Sequence, residues 1–483
     1  MRILSLRNLH LWHRWLGIVF GLLVLCWFIS GLVMLYVPYP SLTQTERLSH
    51  LSSINLQAVK YQLAELVGTQ SDIQPDSVRL STLNHRPAYF FMINKEWQAI
   101  WADTGAPIVV DHSLLSDAAK AFIPSARIKQ LSQIERDQWS LSTKHDAHRP
   151  LYLAEMDDES GSHLYLSGNT GEVLIDTTRQ ERAWNWLGSV IHWIYFTPLR
   201  TQAEVWRQII LWTSFFSFLL VGIGFWLGIN RIRLKSRYKN NRVTPYSSWK
   251  KWHHLIGLAG GIFCMSWLLS GWLSVKPFDW IADRKLSEQE KAILAGTPLA
   301  IKELTLNTQL QDAQPIKEMY WLKFAGETYA LGQDEKQSWI IDKQTGHDIS
   351  PFSHDQLIEH AKQLQFNQAI SAITVLHDGD LYYRSSSTKS ILPVLRLQFD
   401  DQQHTSYYIN PKTSIIVSSV DDKSRLYRWL FHALHRLDMP PLSQHDLPRQ
   451  VVIWMLSALG IVLTLAGVII GLKRLKYMQF HKH

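Results

Sequence analysis

Two stretches of this chain are versions of one another, and they limit what it can fold into more than any other feature. Residues 11–36 read LWHRWLGIVFGLLVLCWFISGLVMLY, and residues 251–275 read KWHHLIGLAGGIFCMSWLLSGWLSV. At an offset of 240 positions, Trp12, His13, Gly17, Gly21, Trp27, Ser30 and Gly31 meet Trp252, His253, Gly257, Gly261, Trp267, Ser270 and Gly271. Each stretch exceeds the roughly 20 apolar residues that a membrane-crossing helix needs. On an α-helix the histidine and the three glycines of each stretch fall close to one stripe. A histidine heading a glycine-lined stripe suits a haem-binding helix: the imidazole ligates iron and the missing side chains leave room for a flat macrocycle. Helix packing through small residues is the competing reading of the same stripe.

Long apolar runs occur at about 11–37, 206–229, 252–276 and 450–472, giving four candidate membrane spans. The mean hydropathy of −0.09 places much of the chain outside them, in polar segments of domain size. The first run is longer than the apolar region of a secretory signal, and Val37-Pro38-Tyr39-Pro40 follows it in place of a small-residue cleavage site, so an uncleaved anchor is expected. The formal charge of +8 has a local source. Arg231, Arg233, Lys235, Arg237, Lys239, Arg242, Lys250 and Lys251 share one loop with no acid; Arg2, Arg7 and Arg14 open the chain, and Lys473, Arg474 and Lys476 follow the last run. By the positive-inside rule both termini and this loop are cytoplasmic and the two large segments lie outside, in the periplasm of a bacterial inner membrane. Lying between two spans, the basic run argues for orientation rather than nucleic-acid binding. Cys26 and Cys264 both fall inside spans, which excludes a disulfide framework, a CxxCH haem attachment and a cysteine-held cluster. Any haem would be b-type.

The first outer segment shows an amphipathic helix over 56–67, a strand pair near 77–83 and 88–93, a helix near 116–122, and a strand–turn–strand signal in LYLSGNTGEVLI at 164–175. The second repeats the pattern, with hairpins at 339–349 and 407–417 and a helix near 355–363. Helices packed on antiparallel strands give an α+β class. A further repeat precedes spans two and four: RAWNWLGSVIHWIYFTPL at 182–199 and RLYRWLFHALHRLDMPPL at 425–442, now at an offset of 243. Each reads as a short interfacial helix ending before its proline. The chain is thus expected to be a four-span helical bundle built by tandem duplication. Its order is an N-terminus with span one (1–37), an outer segment (38–180), a histidine helix with span two (181–230), the basic loop (231–251), span three (252–276), a second outer segment (277–424), a second histidine helix with span four (425–472) and a tail (473–483). A parallel repeat of this kind implies a pseudo-twofold axis along the membrane normal.

The duplication keeps four histidines. His13 and His253 begin spans one and three on the cytoplasmic side, and His192 and His435 lie at the outer side. The pseudo-twofold axis would bring each pair together as a bis-histidine site near each face, where imidazoles serve as axial haem ligands. Zinc is the rival, but two histidines without a matched acid or thiol make a poor zinc site. His254 matches Arg14 and His432 matches Ser189, so neither is kept by the repeat, yet either could ligate in another helix register. Arg200 and Arg449 are candidates for haem propionates or for interfacial anchoring, and His481 and His483 read as solvated tail residues. Asp157-Asp158-Glu159 reads as a solvated turn. Gly222-Ile223-Gly224 with Gly228 lies within span two with no preceding strand, so it is not a dinucleotide loop.

Together these features resemble the PepSY-associated transmembrane proteins, a family of iron-regulated membrane proteins. The resemblance rests on His13-Arg14-Trp15-Leu16-Gly17 and His253-His254-Leu255-Ile256-Gly257 opening two spans. It rests also on hairpins ending in Asp103-Thr104-Gly105, Asn169-Thr170-Gly171 and Gln344-Thr345-Gly346, and on the Leu-His elements before spans two and four. It covers nearly the whole chain. Ile191-His192-Trp193 departs from the family's Pro-Leu-His form, and Thr413-Ser414 replaces one Thr-Gly. The resemblance implies periplasmic PepSY-like domains and two b-type haems on His13, His253, His192 and His435. It implies an oxidoreductase of the ferric-siderophore reductase type, taking electrons from a cytoplasmic flavin or flavoprotein and reducing a periplasmic ferric chelate. A periplasmic binding or protease-regulating module on a membrane anchor is the alternative.

Overall fold

A computed structural model describes residues 5–67, 74–278, 280, 284–296, 299–304, 306, 314–342, 347–349, 352–365, 368–383 and 391–480. The Gln344-Thr345-Gly346 turn, His481 and His483 lie outside the described residues. The chain divides into two compact units, a helical one (1–39, 180–282 and 423–483) and a sheet-rich one (40–179 and 283–422).

Among the described residues, four helices are long and apolar enough to cross a membrane: span one Leu6–Met34, span two Ala203–Arg231, span three Ser248–Ser274 and span four Asp446–Phe480. A helix suits such sequences because it pairs its backbone groups internally. Ser5 caps span one by accepting from the Asn8 N–H at 3.2 Å. Spans one and three each pack against both spans two and four, giving a four-helix bundle. Before spans two and four the chain forms two broken helices. Arg179–Leu187 stops at Gly188 and resumes as Ser189–His192; Asp422–Tyr427 continues through a π-helical turn, Arg428–Ala433, into Leu434–Arg436. Each was expected to run unbroken to its proline. Instead each ends at or one residue beyond its histidine and then turns through a residue with positive φ, Ile194 (50°) and Leu437 (50°). A β-branched residue in this region is strained, and the two positions are again 243 apart.

Among the described residues the sheet unit contains fifteen strands. The first segment supplies β1 (Ser77–Leu83), β2 (Arg86–Ile93), β3 (Glu96–Trp101), β4 (Ile128–Ile134), β5 (Leu151–Met156), β6 (His163–Ser167) and β7 (Val173–Thr177). The second supplies β8 (Glu318–Phe324), β9 (Glu327–Gln333), β10 (Ser338–Ile341), β11 (Asp348–Ile349), β12 (Ile370–Leu376), β13 (Val394–Phe399), β14 (Ser406–Ile409) and β15 (Ile416–Val420). Strands β4–β7 and β12–β15 form two four-stranded antiparallel sheets. The remaining seven form one sheet in the order β11-β10-β9-β8-β1-β2-β3. The two outer segments, 38–180 and 277–424, therefore meet in one sheet through the β1–β8 pair, Arg79 opposite Tyr320 and Leu80 opposite Met319. Without that pairing each hairpin would expose an unpaired edge.

Alternation along β1 sorts the core. Val78 and Leu80 point to one face, with Tyr89, Phe91, Met319, Trp321 and Trp339. On the other face, Phe90 packs with helix His112–Phe122 and the β4–β7 sheet, while Leu331 and Ile340 pack with helix His354–Ala361 and the β12–β15 sheet. The expected helix over 56–67 is a single 3-10 turn, Leu56–Ala58, and a separate helix, Leu63–Val67. Between them the Lys60 and Tyr61 N–H groups donate to the Ala102 carbonyl, which takes them out of any helical ladder.

A buried charge network sits at the β1–β8 junction. Glu318, fully buried, accepts from Arg47 at 2.7 Å, Arg79 at 3.0 Å, Gln333 at 2.9 Å and the Tyr320 hydroxyl. Arg79 also reaches Glu172 at 2.6 Å. Burial alone would raise the Glu318 carboxyl, but the Arg79 and Arg47 guanidiniums outweigh it and hold it at about 2.

Candidate functional site

The bundle places the four repeat-matched histidines in two pairs. The His13 and His253 ring centroids lie 6.0 Å apart and tilted by 42°. Those of His192 and His435 lie 6.1 Å apart and 70° from coplanar. Two metal–imidazole bonds of about 2 Å each, plus the two ring radii, span nearly this separation. His13 and Ser30, the latter bonded to His192, lie 17 residues apart on one helix, so the two pairs are separated by roughly 25 Å along span one.

Each ring is fixed through Nδ1. His13 Nδ1 donates to the Leu220 carbonyl of span two at 3.0 Å, and His253 Nδ1 to the Leu463 carbonyl of span four at 3.1 Å. A carbonyl only accepts, so the proton resides on Nδ1 and the lone pair on Nε2. At the other end His192 Nδ1 lies 3.0 Å from Ser30 Oγ, and His435 Nδ1 lies 3.0 Å from Ser270 Oγ. A hydroxyl has one hydrogen, and each serine donates it to the carbonyl one turn back: Ser30 to Trp27 at 3.2 Å, Ser270 to Trp267 at 3.0 Å. Each hydroxyl must then accept from its histidine, which gives the same tautomer. Among the described residues no hydrogen bond engages Nε2 of any of the four. This is the arrangement of a metal-ligating histidine, whose second nitrogen is oriented by an acceptor.

Glycines border all four rings. A Cβ on Gly224 would lie 2.4 Å from His13 Cε1, and one on Gly467 would lie 3.1 Å from His253 Cε1. The corresponding distances are 3.4 Å from Gly31 to His192 and 3.5 Å from Gly271 to His435. The stripe read from the sequence thus divides. Gly17 and Gly21 face Leu220 and Val468, and Gly257 and Gly261 face Leu463 and Phe225. These four serve close helix packing; only Gly31 and Gly271 border a histidine.

His254 is excluded by its own bonds. Its Nε2 donates to the Gly228 carbonyl at 2.9 Å, and its Nδ1 accepts from Thr244 at 2.7 Å, so neither nitrogen remains for a metal. His432 packs its ring on Tyr427 and Phe431. Arg200 lies over the Tyr195 and Trp206 rings, and Arg449 pairs with Asp446 at 2.8 Å. No group of three or more His, Cys, Asp or Glu side chains able to hold a metal ion occurs among the described residues.

The family model for the PepSY-associated TM region matches residues 10–384. The chain belongs to this family. No curated protein matches it. The matched region includes His13, His192 and His253, while His435 lies beyond it and is supported by the 243-residue repeat and by its geometry. Four positions that hold or border the rings drew no attention as site residues in the sequence: Leu220 and Leu463, and Gly224 and Gly467. Each pair is related by the same 243-residue offset as His192 and His435. Extending that offset into the spans matches Gly224 with Gly467, whereas a main-chain carbonyl leaves no mark at Leu220 or Leu463.

Proposed function

We propose that this membrane protein carries electrons across the bacterial inner membrane and reduces a periplasmic ferric chelate. His13 with His253, and His192 with His435, would each hold the iron of one b-type haem, which supplies a one-electron couple when bound. The observation that carries the reading is the same set of contacts in all four places: an imidazole with Nδ1 given to an acceptor, Nε2 unengaged and a glycine at its edge. The equivalences at 240 and 243 residues support an origin by tandem duplication, with the two histidine pairs on its pseudo-twofold axis. The basic termini and loop support a cytoplasmic side, and on this reading the sheet unit is periplasmic.

The chain's own contribution is orientation. The Leu220 and Leu463 carbonyls and the Ser30 and Ser270 hydroxyls fix each ring's tautomer and plane, leaving Nε2 as the basic nitrogen. Two sites roughly 25 Å apart stand near the two faces of a barrier of about 30 Å. One electron entering from a reduced flavin or flavoprotein leaves to convert Fe(III) to Fe(II) in the chelate, and an oxygen-rich chelator holds the softer Fe(II) less tightly. Stopped-flow mixing of the dithionite-reduced protein with a ferric hydroxamate tests this. The expected result is reoxidation of a low-spin b-haem spectrum together with formation of Fe(II). A purified protein without haem absorbance, from haem-replete cells, would point to an anchored binding module.

A further inference from the structure

The cytoplasmic end implied by this reading is acid-free. No Asp or Glu occurs before Glu46, between Glu204 and Asp279, or after Asp446. Orientation requires only net charge near the span ends. The loop between spans two and three is more than a charged tether, because it closes on itself. Arg233 N donates to the Val243 carbonyl at 2.9 Å, Tyr238 N to the Arg242 carbonyl at 2.9 Å, and the Tyr238 hydroxyl to the Arg231 carbonyl at 2.9 Å. Arg233 stacks over the Tyr238 ring at 4.5 Å. The hairpin's cationic side chains Lys235, Arg237, Lys239 and Arg242 are all exposed.

The hairpin is also tied to the inner histidine pair. Thr244, buried at the hairpin's end, donates to His254 Nδ1, and His254 Nε2 donates to the Gly228 carbonyl of span two. Loop, span two and span three therefore meet on one side chain, which directly follows His253. A ribbon of fixed positive charge is held beside the histidine pair where electrons would enter.

We infer that this hairpin is the docking surface for an acidic electron-carrier protein, a reduced flavoprotein with carboxylates around its cofactor edge. The inference rests on the electron-transfer reading above. Anionic lipid is the competing occupant of a basic loop. Lipid attraction is satisfied by mobile side chains at the headgroup level, and it gives no reason for a closed hairpin anchored to the residue after His253.

The test uses the full-length protein in nanodiscs of zwitterionic lipid with reduced flavodoxin, an acidic flavoprotein, as the probe. Binding is read by biolayer interferometry, which needs no haem. The wild type is expected to bind with a Kd that rises on the order of tenfold between about 20 and about 200 mM salt. The variant K235Q/K239Q/R242Q, which keeps five basic residues for orientation, is expected to bind on the order of tenfold more weakly at low salt. An unchanged melting temperature confirms that this variant is folded. Equal binding by variant and wild type overturns the inference. So does a variant that keeps flavodoxin binding but loses association with phosphatidylglycerol vesicles, which assigns the loop to lipid. A haem-loaded protein that fails to bind flavodoxin overturns the docking surface alone. A colourless protein that binds it with the stated salt dependence overturns the electron-transfer reading and leaves the surface standing.

Discussion

The two histidine pairs reach the same end by different chemistry. At the His13–His253 pair the acceptors are main-chain carbonyls of neighbouring spans, and the clearance comes from glycines on those same spans, Gly224 and Gly467. At the His192–His435 pair the acceptors are the Ser30 and Ser270 hydroxyls, with the Trp267 carbonyl also 3.3 Å from His435 Nδ1, and the bordering glycines, Gly31 and Gly271, come one residue later on the same helices as the serines. The difference is one of rigidity. A span carbonyl already belongs to a helical ladder and moves only if the span moves. A serine hydroxyl is a rotor whose role is set by a second bond, to Trp27 or Trp267. The His13–His253 site is therefore fixed by helix packing, and the His192–His435 site by serine hydroxyls of spans one and three that meet histidines on short, broken helices.

Side-chain substitution should separate the two most sharply at the serines. Ser30→Ala removes the hydroxyl that accepts from the His192 Nδ1–H, leaving the Trp27 carbonyl as its partner, and is expected to weaken haem at the His192–His435 site about tenfold, the lower end of the usual cost of losing an orienting partner. The other site should be unaffected, because no side-chain change can remove its carbonyl acceptors. Haem retained per chain during dialysis against apomyoglobin measures both, and equal loss at the two sites would abolish the distinction. The next effect comes from steric clearance. Gly224→Ala puts a methyl 2.4 Å from His13 Cε1, an overpacking that costs about 1–3 kcal/mol, while Gly31→Ala, at 3.4 Å, should be tolerated. A melting-temperature comparison of these variants checks the order, and a larger loss for Gly31→Ala would reverse the roles assigned here. The smallest effect is expected at His254. His254→Leu removes two hydrogen bonds, each worth about 1 kcal/mol, and should lower stability while leaving the haem count unchanged. Loss of a haem would make His254 a ligand and break the His13–His253 assignment.

Much of this was legible in the sequence because repetition substitutes for an alignment. The four spans appear where their apolar runs place them, and the four matched histidines come together as two pairs. The acceptors were not legible for two different reasons. Every residue carries a carbonyl, so nothing marks Leu220, 207 residues from His13, as the one that meets it. Ser30 and Ser270 were visible as matched positions, but a serine in a span also reads as a small packing residue. Hairpin signals report only local partners, which is why the β1–β8 junction and its Arg47–Glu318–Arg79 network could not be read from segments roughly 240 residues apart. The break at Gly188 and the π-helical turn over Arg428–Ala433 both come just before a matched histidine, and the local helical pattern carries no signal of either.

The central claim is that each pair holds one haem through both of its histidines. The pyridine haemochromogen content of the purified wild type and of His13→Ala, His253→Ala, His192→Ala and His435→Ala tests it most directly. The account predicts two b-type haems in the wild type and one in every single variant, with His13→Ala and His253→Ala sharing one residual spectrum and His192→Ala and His435→Ala sharing the other. A wild type without haem, or variants of one pair with different residual spectra, would contradict it.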